Sequence, residues 1–137
     1  MVLVDTPVWS LSLRRRAVDL SEFERLFTHA LYELVKQHRV QLLGSTRQEV
    51  LSGIRDESQF QRIRDHLRGF ENVELNAGDY EDAAHGSNAC RRAGIATSSV
   101  DMLICAVASS RNWEIFTTDR DFTRYSKVLK IRLFAAR

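Results

Sequence analysis

The stretch VLVDTPVW, residues 2–9, sets a strand signal, a carboxylate and a helix start side by side. Val2, Leu3 and Val4 form a short apolar run, rich in β-branched residues, of the kind that fills a fully buried strand. Asp5 ends that run. Pro7 follows where a helix would open, because its fixed φ and missing N–H suit the first helical position. A carboxylate at the end of a buried strand needs a hydrogen-bonding partner or a metal. Asp5 is therefore a candidate functional group as well as a boundary.

The same arrangement returns near the other end of the chain. WEIFTT (113–118) is followed by Asp119 and, two residues later, by Asp121. Three further runs, VQLL (40–43), NVEL (72–75) and KIRLF (130–134), also have strand character. Helical periodicity fills the intervals. Phe23, Leu26, Phe27, Ala30, Leu31, Leu34 and Val35 recur at i, i+3, i+4, i+7 spacing behind a Ser21–Glu24 capping box. Phe60, Ile63, Leu67 and Phe70 make a second stripe. A third helix is expected from about Asp79 to Arg92, stopped by Gly94. A fourth opens at Ser98 and is expected to bury Val100, Leu103, Ile104 and Val107. Strands alternating with helices imply βαβ units and a parallel sheet covered on both faces. The fold class is α/β, and 137 residues without a linker or repeat make a single domain, 1–137.

Composition narrows the class. A hydrophobic fraction of 44% with 28% charged residues excludes disordered, collagen-like and low-complexity chains. Two cysteines, Cys90 and Cys105, are too few for a secreted disulfide framework and read as small apolar residues within helices. The N-terminal residues carry no basic leader, and the uncharged run MLICAVASS is far short of the ~18–20 residues a membrane span needs. A cytoplasmic protein without membrane association is expected. The net charge of +2 says little as a sum, but 17 of the 20 cations are Arg.

In open parallel sheets, ligands bind in the crevice beyond the carboxyl ends of the strands. Asp5 and Asp119 fall there from runs far apart in sequence, with Asp121 nearby. Glu49 (in STRQEVLSG) and Asp101 (in SSVDMLICA) are read into the first turn or so of helices. Taken singly, these acids also have structural readings. Acids complement the dipole at a helix N-terminus, Asp101 can complete a capping box with Ser98, and Asp119 can cap a helix starting near Phe122. The histidines His29, His38, His66 and His85 show no metal-ligand spacing and are assigned no ligand role, although His85 is expected to be partly buried.

VLVDTPVW, QEVLSGI, VDMLICAVA and IFTTDRDF occur in this order across essentially the whole chain. Together they resemble the PIN-domain ribonucleases, most closely the VapC-type toxins of bacterial toxin–antitoxin pairs. The resemblance implies a three-layer α/β/α fold with a central parallel sheet of four to five strands flanked by helices. It implies that Asp5, Glu49, Asp101 and Asp119 form an acidic metal site, with Asp121 a fifth member or an outer acid. Thr6 and Thr117 match family hydroxyls that orient a carboxylate or a water. Pro7 departs from the pattern: the family more often has Ser or Asn there, so a side-chain hydrogen bond made by relatives is missing. The implied activity is metal-dependent endonucleolytic hydrolysis of RNA, leaving 5′-phosphate and 3′-hydroxyl ends. The implied partners are a second copy, forming a homodimer, and a cognate antitoxin whose C-terminal segment blocks the acidic groove.

The residue types suit that chemistry. Carboxylates brought within a few ångströms raise one another's pKa, and a divalent cation removes the conflict. An all-oxygen donor set favours Mg²⁺ or Mn²⁺ over Zn²⁺, which prefers His and Cys. Asp5 and Asp101 are expected as direct ligands, Glu49 as a ligand or the base that positions a water, and Asp119 as a ligand directly or through water. Arg14, Arg15, Arg16 and Arg120 are candidate contacts to RNA phosphates, because the guanidinium fork matches phosphate oxygens, against the plainer reading of solvated basic faces. Arg91, Arg92 and Arg124 add to the same basic content. Competing functions are a PIN-type nuclease in RNA processing or DNA cleavage without an antitoxin, and a non-catalytic nucleic-acid-binding module, against which all four acids stand. A flavodoxin-like or receiver-type domain has no role for Glu49 and Asp101 and would need a strand-end lysine that this sequence lacks.

Overall fold

Val2–Val4 (β1) has strands on both sides and is buried throughout. The structure, a computed structural model, describes all of residues 1–137. Its sheet has four parallel strands in the order β2-β1-β3-β4, with β2 at Val40–Gln41, β3 at Glu114–Phe116 and β4 at Arg132–Leu133. Residues along β1 and β3 alternate between two cores. Val2, Val4 and Phe116 face one core, shared with α1 (Thr6–Leu13), α2 (Glu22–Lys36), α3 (Gly44–Leu51) and α4 (Glu57–Leu67). Leu3 and Ile115 face the other, shared with α5 (Ala77–Arg92), α6 (Ser99–Arg111) and α7 (Asp121–Tyr125). Helices on both faces make the expected three layers. They also explain why the central β1 run is continuously apolar rather than alternating.

Local chemistry sets the helix ends. The Ser21–Glu24 capping box forms as expected. A second box, Asn76 with Asp79, starts α5 at Ala77, two residues before the expected Asp79. Gly94 has φ +77, and its N–H and that of Ile95 return to Arg91 O and Cys90 O, which closes α5 with a Schellman motif. Pro7 is the second residue of α1 rather than the first, and its missing N–H is of no consequence in the first turn. Cys90 and Cys105 are both buried within helices, as expected.

Several expectations are corrected. NVEL (72–75) forms no strand beyond a single parallel bridge, Leu42 to Asn72. The segment is drawn elsewhere: Arg47 binds the Asn72 side chain, Arg111 takes the Glu74 carbonyl, and Asn76 already caps α5. The sheet therefore stops at four strands. Phe70 lies beyond α4, yet still packs edge-on against Trp9 at 5.1 Å. On α2 only Ala30, Leu31 and Leu34 are buried; Phe23 and Leu26 are exposed, because the helix start overhangs the core. On α6, Val100 and Leu103 are half-buried, while Met102, Cys105 and Ala108 join Ile104 and Val107 in the core. His85 is exposed.

One buried charge pair was not anticipated. Asp79 is 3% exposed and receives both arms of the Arg111 guanidinium, at 2.9 and 3.0 Å. Arg111 also donates to Glu74 O at 3.0 Å. The fork joins the start of α5 to the end of α6, which form the most extensive helix pair in the molecule. It holds the Asp79 carboxyl below the usual carboxylate range, the Arg111 hydrogen bonds being the main cause. No helix is long and apolar enough to cross a membrane.

Candidate active site

Parallel pairing brings the ends of β1 and β3 together. The register sets Val4 opposite Phe116, and the Asp5 N–H bonds Phe116 O at 2.9 Å. Asp5 and Thr117 are thus the next residues on adjacent strands, at the carboxyl edge of the sheet. Thr117 donates its hydroxyl to Asp5 Oδ2 at 2.8 Å and accepts the Asp119 N–H at 3.0 Å. Asp5 is the N-cap of α1, and its Oδ1 accepts the Thr6 N–H at 2.8 Å. The Thr6 hydroxyl turns the other way and donates to Glu49 Oε1 at 2.8 Å. Asp119 Oδ1 in turn accepts the Asp121 N–H at 2.9 Å, which opens α7. An unbroken chain of hydrogen bonds therefore runs from Glu49 through Thr6, Asp5 and Thr117 to Asp119 and Asp121.

Asp101 joins this edge from α6. Its N–H is capped by Ser98 Oγ at 3.1 Å, and its Oδ2 accepts the Tyr125 hydroxyl at 2.9 Å. Glu49 corrects the reading of its helix: it lies near the C-terminal end of α3, not in the first turn, and is exposed. The dipole argument offered for it therefore fails, and its hydroxyl partner Thr6 is what holds it. Thr6 and Thr117 each donate a hydroxyl to a carboxylate, Glu49 and Asp5 respectively. Tyr125 was not singled out in the sequence; its ring is core, and only its hydroxyl reaches the acids.

The electrostatics follow from burial. Asp5 is 5% exposed, and burial pushes its carboxyl up to about 6 from 3.8. The Thr117 and Thr6 hydrogen bonds oppose that shift, while the Asp101 and Glu49 charges add to it. Burial also raises the Asp101 carboxyl, opposed by Tyr125 and assisted by the Asp119 and Asp121 charges. Such a site is short of positive charge. No group of three His, Cys, Asp or Glu side chains is gathered tightly enough to hold an ion unaided. The donor set still fits Mg²⁺ or Mn²⁺, which are bound through one or two carboxylates and keep several waters.

The candidate arginines form no ion pair with the acids of this edge. Arg14, Arg15 and Arg16 are exposed just after α1, with Arg15 paired to Glu24 at 3.2 Å. Arg14, Arg16, Arg120 and Arg124 are exposed and make no ion pair. Beside the acidic edge, a groove of about 420 Å³ between α1 and α2 is lined by Pro7, Leu11, Phe23, Phe27 and Thr118, with Arg15 and Glu24 at its margin.

A four-stranded parallel sheet with acids at its carboxyl edge is the plan of the PIN domain, and the model of that family matches residues 2–128. The chain belongs to the PIN-domain family. Its fold is similar to FitAcB from Neisseria gonorrhoeae, with a TM-score of 0.77 at 18% identity over 99% of this chain and 98% of that one. It is also similar to VapBC2 from Rickettsia felis, solved bound to a DNA fragment from their promoter, with a TM-score of 0.73 at 15% identity over 98% of both chains. VapBC-5 from Mycobacterium tuberculosis, a member of the VapBC family of toxin–antitoxin systems, gives a TM-score of 0.67 at 17% identity over 96% and 95%. No curated protein matches the sequence.

Proposed function

We propose that this chain is a metal-dependent endoribonuclease and the toxin of a toxin–antitoxin pair. The observation that carries the reading is the hydrogen-bonded acidic edge, where Asp5, Glu49, Asp119 and Asp121 are threaded by Thr6 and Thr117, with Asp101 close enough to raise the Asp5 pKa. Asp5 and Asp101 would hold a Mg²⁺ or Mn²⁺ ion, with Glu49 and Asp119 binding it directly or through water. When bound, the ion would ionise a water at neutral pH and offset the charge that builds on the phosphate. Glu49, exposed and held by the Thr6 hydroxyl, would accept a proton from that water. Thr6 and Thr117 keep the carboxylates aimed before substrate arrives, and preorganised groups of this kind cost no rearrangement during reaction.

The toxin assignment draws support from the family and from fold neighbours described as toxin–antitoxin systems. The α1–α2 groove gives an antitoxin segment an apolar seat beside the acids, where one of its basic side chains would pair with them in place of metal. A homodimer and a cytoplasmic location belong to the same reading. Total RNA incubated with the purified protein should be cut in Mg²⁺ or Mn²⁺ and spared in EDTA, with 5′-phosphate and 3′-hydroxyl ends at the cuts. Asp5→Asn and Asp101→Asn should each abolish cleavage while remaining folded. Full activity in either purified variant sinks the assignment. A short DNA-binding protein encoded immediately upstream would supply the antitoxin.

A further inference from the structure

We propose that Tyr125 is a positioning residue for Asp101: its hydroxyl holds one carboxylate oxygen and so fixes the orientation in which the carboxylate meets a divalent ion. The inference rests on the nuclease reading of the acidic edge and adds a residue to it. Tyr125 is 2% exposed, and its ring packs edge-on against Phe122 at 5.2 Å. A buried phenol needs a hydrogen-bond partner. The partner here is Asp101 Oδ2 at 2.9 Å, on a different helix 24 residues earlier in the chain. This hydroxyl makes no other hydrogen bond.

The two anchors on Asp101 act in different directions. Ser98 Oγ fixes its backbone N–H at the start of α6, and the phenol fixes the carboxylate from α7. The phenol comes from a ring locked into the core, so the Asp101 side chain loses its freedom to rotate. Oδ2 is committed to the phenol, and the Ser98 hydroxyl is a further favourable partner of the Asp101 carboxyl. Asp5 and Glu49 are oriented by threonine hydroxyls; Asp101, on the α5–α7 side of the sheet, is oriented by a tyrosine of the same layer. Partners that orient a ligand from behind typically contribute 10–100-fold to metal affinity.

Tyr125→Phe keeps the ring and deletes the donor. In the full chain at pH 7.5, Mn²⁺ binding followed by the electron paramagnetic resonance of free Mn²⁺ should weaken about 10-fold. Circular dichroism should be unchanged, and RNA cleavage should need correspondingly more Mn²⁺ while approaching the wild-type rate at saturation. A folded Tyr125→Phe protein with wild-type Mn²⁺ affinity overturns the proposal. A second comparison separates positioning from packing. In an Asp101→Asn background, Tyr125→Phe should no longer change the residual Mn²⁺ affinity; a persisting loss of the same size means that the hydroxyl does not act through Asp101. If the wild-type protein itself neither binds Mn²⁺ nor cuts RNA, the nuclease reading fails, and the role of Tyr125 fails with it.

Discussion

Asp5 is a charge held against its surroundings. Its carboxyl is raised to about 6, so between about pH 4 and pH 6 the folded protein keeps a proton that the unfolded chain has lost. Stability without metal therefore falls as pH rises through that window, and the whole penalty remains above it. A shift of about two units corresponds to about 3 kcal/mol at most. Asn keeps the N-cap acceptor and removes the charge. In EDTA at pH 7.5, Asp5→Asn should accordingly be more stable than the wild type by about 1–3 kcal/mol in urea unfolding, and the gap should close towards pH 4. No gain at pH 7.5 would mean that Asp5 is not a strained charge. Asp5 and Asp119 were legible because a carboxylate after an apolar run is conspicuous. Tyr125 was not, because a hydroxyl on a core aromatic leaves no trace in a hydrophobic pattern.

Among the elements, the α5–α6 pair depends on a link that periodicity cannot reveal. Asp79 was expected only to open a helix, and Arg111 stood out in no pattern of the sequence. Only the packing turns them into a buried fork. Arg111→Met would strand the Asp79 carboxylate, and removing one partner of a buried pair typically costs about 3–5 kcal/mol. Because the Arg111 side chain is 21% exposed, the expected loss is nearer the lower figure, about 3 kcal/mol in urea unfolding. Asp79→Asn combined with Arg111→Met should recover part of it; a double variant no better than the single one would show that the pair is not the cause. The helices with caps written into the sequence, at Ser21 and Ser98, fell where periodicity and capping placed them. The failures were tertiary. NVEL has strand propensity but is taken over by Arg47, Arg111 and the Asn76 cap, and Glu49 was set in the wrong turn because α3 begins at Gly44 without any side-chain cap.

Across the whole molecule, the +2 net charge conceals a division. With Asp5, Glu49, Asp101, Asp119 and Asp121 gathered at the sheet edge, 13 of the 18 acids remain against 20 cations. If Arg14 and Arg16 contact phosphates, replacing Arg14, Arg15 and Arg16 with Gln should weaken RNA binding by a catalytically dead Asp5→Asn protein. The slope of log affinity against log salt should flatten by about 0.7 for each lost contact. An unchanged slope assigns the run to solvent, and Arg15, already paired with Glu24, is expected to contribute least. The parallel pairing of β1 with β3 has a temporal side as well. Asp5 and the Thr117 hydroxyl that aims it are 112 residues apart. At 5–20 residues per second, a ribosome delivers the carboxylate roughly 6 to 22 s before its donor. During that interval the growing polypeptide carries its acids without the strand that aligns them. The acidic edge is therefore completed only after Thr117 has been added, late in the synthesis of these residues.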